Sequence, residues 1–364
     1  MGISKDRKKK VAIVGTNGIP AQYGGYETLA ENLVKQLSNN FHFTVYCSKK
    51  QKEKLKFYNN ARLINLPLDA NGITGLFYDV VSLFHAWFYA DIILYLGPGV
   101  GMVLWLNKIF KKKIITNHGG LNEWERAKLT NIQKKYAYIN HRCAAKFSDV
   151  NIVDNEVLRK SLFVHFKVNS TVIRYGGDHV SKVDVTPLLI KKFPFLKSKY
   201  YVSVSRAQID NNLHMVLEAF KKMPDKNLVL VSNWNSSEYG RSLKVKYAGL
   251  PNIFLQDAVY DLTELNCIRS NSILYIHSHA QCGTAPSLVE AICLSLPIVS
   301  YDVPQNRETL QRNDFFFSST IELIELINSI GENELSILNT NSKNIKNDYT
   351  WNKVSKQYAN LFKK

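Results

Sequence analysis

Acidic residues are scarce in this 364-residue chain, which has 30 Asp and Glu residues against 47 Lys and Arg residues and a formal net charge of +17. The deficit is uneven, since residues 1–184 carry a net charge of +13 and the remainder +4. Such a bias favours an anionic partner, which could be nucleic acid, a phosphorylated substrate or an anionic lipid surface. General solubility is the alternative explanation for the same excess.

Cysteine and long hydrophobic runs are also scarce. The five cysteines form no C-x-x-C pair and no disulfide-type pattern, which indicates a reducing, cytoplasmic compartment. The longest apolar stretch, IILYLGPGVGMVLWL, is interrupted by Gly-Pro-Gly and is shorter than a membrane span. The basic N-terminal run precedes too few apolar residues for the core of a signal peptide. We therefore do not expect a secreted or membrane-spanning protein.

Several catalytic signatures are missing. The chain has no D-x-D triplet, which disfavours a metal-dependent nucleotide-sugar site, and no G-x-S-x-G elbow of a serine hydrolase. The Gly-rich loop that begins at Gly15 fits neither G-x-G-x-x-G nor the Walker pattern, so a dinucleotide site and a P-loop are both disfavoured. We expect no metal site.

Strand-like and helix-like stretches alternate along the chain, which predicts parallel sheets with helices on both faces. The series starts with KVAIVG and starts again with YYVSVSR at 200–206, so we expect two doubly wound Rossmann-like domains. The predicted limits are 1–185 for the N-terminal domain, 186–345 for the C-terminal domain and 346–364 for a helix that returns to the N-terminal domain. Two such domains place a ligand-binding cleft at the carboxyl ends of their strands.

The first loop after a predicted strand is GTNGIPAQYGGYE, residues 15–27. Its four glycines and one proline allow the backbone to approach a ligand, and a helix N-terminus follows directly. A tight structural turn is the alternative. Arg206 ends the first strand of the second domain, where a permanently charged, bidentate donor suits a diphosphate. A solvent-exposed loop arginine is the alternative there.

The stretch CGTAPSLVEAICLSLPIVSYD, residues 282–302, predicts a turn, a buried helix and a buried strand. Pro286 suits the first turn of that helix, and Gly283, Thr284 and Ser287 supply backbone and hydroxyl donors for an anion. Glu290 lies one turn further on. A carboxylate would repel a phosphate, so we expect Glu290 to accept hydrogen bonds from sugar hydroxyls. An ion-paired or helix-capping carboxylate is the alternative.

Together these stretches resemble the retaining glycosyltransferases of the GT-B fold, family GT4. The stretches VAIVGTNGIPAQYGGYETLAENL, NEWERAKL, NNLHMVLEAF, SNWNSSEYG and VPQNRETL resemble its bacterial rhamnosyltransferase-type branch more narrowly. The resemblance implies a metal-independent enzyme without a cofactor, which transfers a sugar with retention from a nucleoside diphosphate to a lipid-linked saccharide. It also implies L-rhamnose from dTDP-L-rhamnose as the preferred sugar, and capsule, O-antigen or cell-wall polysaccharide as the product.

The resemblance further implies roles for residues of the C-terminal domain, which would bind the donor. Glu290 matches the second glutamate of the E-x7-E motif, which binds the donor ribose. Arg206 matches the basic residue that contacts the diphosphate. Gly283, Thr284 and Ser287 match the loop and helix start that meet the sugar and phosphate.

In the N-terminal, acceptor-side domain, Gly24 and Gly25 match a loop that faces the diphosphate and the acceptor. His118 matches a histidine near the donor sugar. Catalytic roles are therefore expected for Arg206, Glu290 and His118.

Three positions depart from the family pattern. Cys282 replaces the first glutamate of E-x7-E, and Asn211 replaces the usual lysine five residues after Arg206. Both would still belong to the donor site. Asn122 is an apparent extra residue in GGLNEWERAK.

The expected partners are a nucleotide-sugar donor, a lipid-linked saccharide and the anionic inner face of the cell membrane, to which a cytoplasmic protein would bind peripherally. The basic runs KDRKKK, KKQKEKLK and KKK at 111–113 would contact anionic lipid. The aromatic stretch LFHAWFY predicts a buried helix, with interfacial contact as the alternative. No RNA-recognition, helix-turn-helix or zinc signature is present, so a nucleic-acid partner is not expected. A nucleotide-sugar epimerase of the same fold and a basic nucleic-acid-binding protein remain the alternatives.

Overall fold

The computed structural model describes residues 7–22, 24–120, 122–126 and 129–364, with only the backbone described for residue 73. Lys5 and Asp6 of the predicted basic run lie outside the described residues. The described chain forms two compact units. The first contains residues up to 125, then 129–174 and 351–364; the second contains residue 126 and residues 175–350.

An eight-stranded sheet forms the centre of the first unit, in the order β3-β4-β2-β1-β5-β6-β7-β8. All neighbouring strands are parallel except the β3–β4 pair. Parallel strands are buried on both faces, which is why β1 reads as the continuous apolar run KVAIV. The strands are β1 Lys10–Val14, β2 His42–Cys47, β3 Phe57–Tyr58, β4 Ala61–Asn65, β5 Ile92–Leu96, β6 Lys113–Asn117, β7 Val150–Val153 and β8 Thr171–Val172.

Helices numbered along the whole chain cover this sheet. Two of them begin at side-chain caps: Thr130 forms a capping box with Gln133, and Asn155 accepts the N–H of Leu158. The helices of the first unit are α1 Gly25–Leu37, α2 Ile73–Tyr89, α3 Asn107–Phe110, α4 Asn131–Phe147, α5 Glu156–Phe166 and α14 Trp351–Lys363. Short 3-10 turns occupy Gly101–Leu106 and Glu123–Glu125.

The C-terminal helix α14 packs within the first unit. The ring of Phe362 lies edge-on to Phe41 with centroids 5.3 Å apart, and Lys113 Nζ donates to the carbonyl of Leu361 at 2.6 Å. The Tyr358 hydroxyl accepts a hydrogen bond from Asn117, the last residue of β6. This helix therefore supports the loop that follows β6.

Helix α2, which contains LFHAWFY, is buried on one face only. Leu83, Ala86 and Trp87 are fully buried, whereas Phe84 and Phe88 are exposed. The prediction of a buried helix was therefore wrong for the outer face. An aromatic run predicts burial by composition, but on a helix that covers a sheet only the side chains that point at the sheet are removed from water.

The second unit is built on a six-stranded parallel sheet in the order β11-β10-β9-β12-β13-β14. Its strands are β9 Tyr201–Val204, β10 Leu228–Ser232, β11 Ile253–Asp257, β12 Leu274–His277, β13 Ile298–Tyr301 and β14 Phe316–Phe317. Its helices are α6 Pro187–Lys192, α7 Leu213–Lys221, α8 Glu238–Tyr247, α9 Leu262–Ser270, α10 Pro286–Cys293, α11 Pro304–Leu310, α12 Thr320–Ser329 and α13 Glu332–Ile345. Pro286 opens α10, as predicted, because its missing N–H is harmless in a first turn.

The chain reverses its direction of travel once across each sheet. From β1 it moves to β2 and β4 on one side, then crosses to β5 on the other; from β9 it moves to β10 and β11, then crosses to β12. Open parallel sheets bind ligands outside the carboxyl ends of their strands at such a switch point. The loops after β1 and β5, and after β9 and β12, are therefore the places to look for a site.

Within the part of the chain that the structure describes, no helix combines the length and apolar character that crossing a bilayer requires.

Candidate functional site

Two predicted site segments meet at the switch point of the second sheet. Ser205, which follows β9, shares a 2.7 Å hydrogen bond with His279 Nε2 in the loop after β12. Arg206 comes next in the chain and is exposed. Burial, followed by the charge of Arg206, lowers the pKa of His279 to about 3. Arg206 is thus a solvent-accessible cation beside a neutral imidazole.

Asn211 fixes the loop that carries Arg206. Its side-chain amide donates to the carbonyl of Arg206 at 2.9 Å, and its own carbonyl accepts from Ser278 Oγ at 2.5 Å. The side chain is buried. Asn211 therefore joins the loops after β9 and β12, and its amide is engaged with the loop backbone.

Cys282 lies beside two histidines. Its Sγ and one ring nitrogen each of His277 and His279 are all within 4.8 Å of one another. His277 is 1% exposed, and both of its ring nitrogens lack a hydrogen-bond partner among the described residues. Burial, then the neighbouring His279, holds the pKa of His277 well below its usual value. Two neutral imidazoles and a thiol form a donor set that suits zinc, although the positive charge of Arg206 nearby opposes a cation.

The segment between this group and α10 is tightly packed. Gly283 and Thr284 are buried, whereas Cys282 and Ser287 are half-buried. Ala285 has an extended backbone before Pro286 and makes no side-chain cap. The first turn of α10 therefore begins at the switch point, which is the position that the sequence predicted for the start of this helix.

Glu290 pairs with two side chains of its own unit. Its Oε2 lies 2.6 Å from Arg269 Nη2, and its Oε1 lies 3.4 Å from His179 Nε2. Arg269 is 2% exposed and the Glu290 side chain 15%. Burial opposes ionisation of Glu290, but the charge of Arg269 and the hydrogen bond with His179 outweigh it and hold the pKa below its usual range. Glu290 is therefore a half-buried, ionised carboxylate that is paired with a buried arginine.

Arg269 was not found by sequence reasoning. It lies in the last turn of α9, 21 positions before Glu290 in the sequence, and no local pattern joins the two. Its Nε and Nη1 atoms are buried without a hydrogen-bond partner among the described residues. The Arg269–Glu290 pair is therefore a polar site in which two hydrogen-bond donors have no partner among the described residues.

The Gly-rich loop lies at the switch point of the first sheet. Gly15, directly after β1, has φ +86°, and a Cβ there would lie 2.2 Å from the carbonyl oxygen of Leu96 at the end of β5. No other residue fits this approach. The two strands that flank the switch point are thus in contact through the backbone.

Gly24 and Gly25 lie at the start of α1. Gly24 precedes the helix with φ +120°, and a Cβ there would approach the Glu27 carboxylate at 3.2 Å. The Asn17 amide donates to Glu27 Oε1 at 2.6 Å, which ties the loop to the first turn of α1. Residue 23, between the two halves of this loop, lies outside the described residues.

His118 follows β6 and is buried. Its Nε2 shares a 2.8 Å hydrogen bond with Asn151, whereas Nδ1 has no partner among the described residues. Burial lowers its pKa to about 4 and that of the adjacent His141 to about 3, so both rings are neutral near pH 7. A cavity of about 10 Å³ is lined by both histidines and by Trp124, with room for about one water molecule.

The two parts of the chain match two family models. Residues 186–351 match the model described as Glycosyl transferases group 1, and residues 8–178 match one described as Domain of unknown function (DUF1972). No curated protein matches the chain.

Solved structures share the fold over the whole chain. Sucrose-phosphate synthase from Thermosynechococcus elongatus aligns with a TM-score of 0.82 at 14% identity, over 98% of each chain. HepE from Anabaena, solved in complex with UDP-glucose, aligns with a TM-score of 0.76 at 14% identity, over 98% of this chain and 99% of its own. A glycosyltransferase from Rickettsia africae aligns with a TM-score of 0.70 at 14% identity, over 98% of both.

These likenesses confirm the predicted fold class, two parallel-sheet α/β domains of the GT-B type. The match to the model described as Glycosyl transferases group 1 is confined to residues 186–351, in the second half of the chain. Together the findings support a nucleotide-sugar glycosyltransferase of the GT-B type.

Proposed function

We propose that this protein transfers a sugar from a nucleoside diphosphate to a lipid-linked saccharide, with retention and without a metal ion, in the synthesis of a bacterial surface polysaccharide. The observation that carries the proposal is the second-sheet switch point. There, Arg206, the start of α10 and the ionised carboxylate of Glu290 occur within a region that matches the glycosyl transferases group 1 model.

The preferred donor is dTDP-L-rhamnose, and its support is the sequence resemblance to the rhamnosyltransferase-type branch. HepE was solved with UDP-glucose, so a UDP-sugar is the second donor to test. The proposed acceptor is an undecaprenyl-diphosphate-linked sugar, and the proposed place of action is the inner face of the cell membrane.

Arg206 and Glu290 would divide the donor between them. Arg206 is exposed and permanently charged, which suits the diphosphate and the negative charge that grows on it as the glycosidic bond breaks. Glu290 is ionised and would accept from the ribose hydroxyls, while Arg269 holds its charge in place. Asn211 would act on the donor through the Arg206 loop, whose backbone it holds.

Cys282, Gly283, Thr284 and Ser287 would meet the donor sugar and phosphate at the start of α10. Helix N-termini favour negative charge, because their first N–H groups point out of the helix. A thiol is only a weak hydrogen-bonding group and behaves largely as a small hydrophobe. Cys282 would therefore suit the C6 methyl of a 6-deoxyhexose better than a hydroxyl.

In the first unit, Gly24 and Gly25 would place the backbone at the start of α1 next to the diphosphate and the acceptor. The neutral His118 would act near the sugar. Its partner Asn151 fixes the ring orientation, and the unsatisfied Nδ1 is the atom that remains for a new hydrogen bond.

A thermal-shift series with UDP, dTDP and GDP tests the donor assignment. A ligand that binds only the native state raises the melting temperature as its concentration exceeds Kd. We expect dTDP to stabilise the wild type most and Arg206→Ala to reduce that shift. The absence of a shift with all three nucleotides would contradict the proposal.

A further inference from the structure

The outer face of α2 is apolar in a way that the rest of the fold does not explain. Four large side chains on it are exposed: Phe77 at 63%, Val81 at 44%, Phe84 at 40% and Phe88 at 77%. Their spacing of four, three and four residues places them in one line along the helix. We call these four residues the apolar stripe. Surface stripes of this kind on soluble domains mark interaction sites.

A second exposed apolar element lies next to the stripe. The ring of Phe110 on α3 stacks on Trp87 with centroids 5.0 Å apart and meets Phe88 edge-on at 5.1 Å. The 3-10 turn that leads into α3 exposes Met102 and Trp105, and α3 itself exposes Ile109. The stripe therefore continues onto a neighbouring segment.

Basic residues predominate in the segment that follows α2. Residues 92–120 contain four lysines, at 108 and 111–113, and no Asp or Glu. Lys108 and Lys111 are exposed beside Ile109. The only acidic residue in the sequence of α2 is Asp79, which is half-buried. Burial raises the pKa of its carboxyl to about 7, although the hydrogen bond from the Tyr95 hydroxyl lowers that pKa.

The exposed face of helix α4 differs from that of α2, because it carries charged side chains among its apolar ones. Its exposed face mixes Ile132 and Ile139 with Lys135, Arg142 and Lys146, as a solvated helix does. The outer face of α2 carries no Lys, Arg, Asp or Glu.

We propose that the apolar stripe, with Trp105 and Ile109, inserts into the interfacial region of an anionic phospholipid bilayer. Phenylalanine and tryptophan side chains partition to the level of the headgroups, and lysines beside them pair with anionic lipids. If a second copy of this chain bound here through the same surface, the lysines of one copy would face those of the other. An anionic membrane, by contrast, complements both the apolar stripe and the lysines beside it. The inference deepens the proposed function and rests on it, because a lipid-linked acceptor requires a protein that reaches the membrane.

Vesicle flotation tests the proposal with the full chain. We expect the wild type to float with phosphatidylglycerol-containing vesicles and to float less with phosphatidylcholine alone. The double variant Phe77→Ser, Phe88→Ser should lose binding by about tenfold or more, since it removes the two most exposed rings of the stripe. The matched control Val245→Ser, Ile321→Ser changes two equally exposed apolar residues of the second unit and should float like the wild type.

Tryptophan fluorescence gives a readout that does not depend on the double variant. Brominated lipids quench indoles that enter the bilayer, and Trp105 is 52% exposed whereas the other four tryptophans are at most 8% exposed. We expect quenching in the wild type and its loss in Trp105→Phe.

Three results would overturn the proposal: equal flotation of the double variant and the wild type, equal binding to neutral and anionic vesicles, or no lipid quenching. A wild-type dimer that the double variant converts to a monomer, without vesicle binding, would assign the stripe to an interface between copies. Calorimetry with dTDP and UDP separates the two hypotheses. Normal nucleotide binding without vesicle binding refutes the membrane surface alone, and the reverse refutes the proposed donor site alone.

Discussion

Glu290→Gln is the substitution that separates a donor ligand from a structural ion pair. It keeps the volume of the side chain and one acceptor oxygen but removes the charge that faces Arg269 Nη2 at 2.6 Å. Because Arg269 is 2% exposed, its charge loses its counter-ion and cannot turn to solvent.

The cost to the fold follows from that burial. Removing one partner of a buried pair destabilises a protein by about 3–5 kcal/mol. Glutamine still accepts one hydrogen bond, so we expect a loss nearer to about 1.5–3 kcal/mol, the usual strength of a bond to a charged group. Domains have about 5–15 kcal/mol of stability, so the variant should remain folded. Urea unfolding measures this loss.

The cost to donor binding should be separate from the cost to the fold. If Glu290 accepts from a ribose hydroxyl, losing its charge weakens a bond of about 1.5–3 kcal/mol, which corresponds to about tenfold to 150-fold in Kd. Calorimetric titration with dTDP and UDP measures it. The matched control is Glu264→Gln, which breaks the exposed pair with Lys192 in the same unit and should cost less than about 1 kcal/mol.

Unchanged nucleotide affinity in a folded Glu290→Gln protein would refute the assignment and make the carboxylate structural. If the single variant does not fold, the double variant Arg269→Met, Glu290→Met removes both charges together, a change that is often close to neutral for stability. Wild-type nucleotide affinity in that protein would refute the assignment equally well.

Four further predictions follow from individual side chains. Arg206→Ala should weaken binding of a nucleoside diphosphate by about 1.5–3 kcal/mol more than binding of the nucleoside, and equal losses in the two titrations would show that Arg206 does not face the diphosphate. Cys282→Ala should retain a sizeable fraction of the transfer rate and Cys282→Glu should suppress it; full activity of the glutamate variant would remove Cys282 from the sugar site. Transfer should persist in EDTA, whereas activity that vanishes and returns with magnesium, manganese or zinc would implicate a metal, with His277, His279 and Cys282 as its first candidate ligands. Burial raises the pKa of Asp79 to about 7, so the folded state favours the protonated carboxyl; the stability this gives is complete below about pH 4 and is lost as the pH rises to about 7. Asp79→Asn should therefore be more stable than the wild type by up to about 4 kcal/mol near pH 8 and equally stable near pH 4. A stability gain that does not depend on pH in urea unfolding would contradict this.

The parallel sheets could be predicted because their strands are buried on both faces. Continuous apolar runs such as KVAIV in β1 and IILYL in β5 predict strands of a parallel sheet, because such strands are buried on both faces. The two-residue strands β3, β8 and β14 could not be predicted, because two residues show no periodicity.

The candidate site could be predicted only in part, because half of it depends on contacts between distant segments. Arg206 and the start of α10 follow predicted strands and are visible in the sequence. The Arg269–Glu290 pair joins the end of one helix to the next, and the His279–Ser205 bond joins two loops 74 positions apart. The spacing H-x-H-x2-C at 277–282 is a readable signal for the histidine and cysteine group, but a search for C-x-x-C pairs does not detect it.

The exposed stripe on α2 illustrates a different limit. Composition predicted burial for LFHAWFY, and the 3.6-residue period divides the same run between a buried and an exposed face. Which face meets the sheet is settled by packing, since both faces are apolar in the sequence.

The most direct test of the central claim is sugar transfer itself. The purified protein is incubated with dTDP-L-rhamnose labelled in the sugar, and with labelled UDP-glucose in parallel, in the presence of undecaprenyl-diphosphate-linked saccharide. If the protein is a glycosyltransferase, labelled sugar should appear in the lipid extract, and nucleoside diphosphate should be released in an equal molar amount. Neither product should form without the acceptor lipid. Label that stays on the nucleotide as an epimerised sugar, formed equally well without acceptor, would contradict it and identify an epimerase.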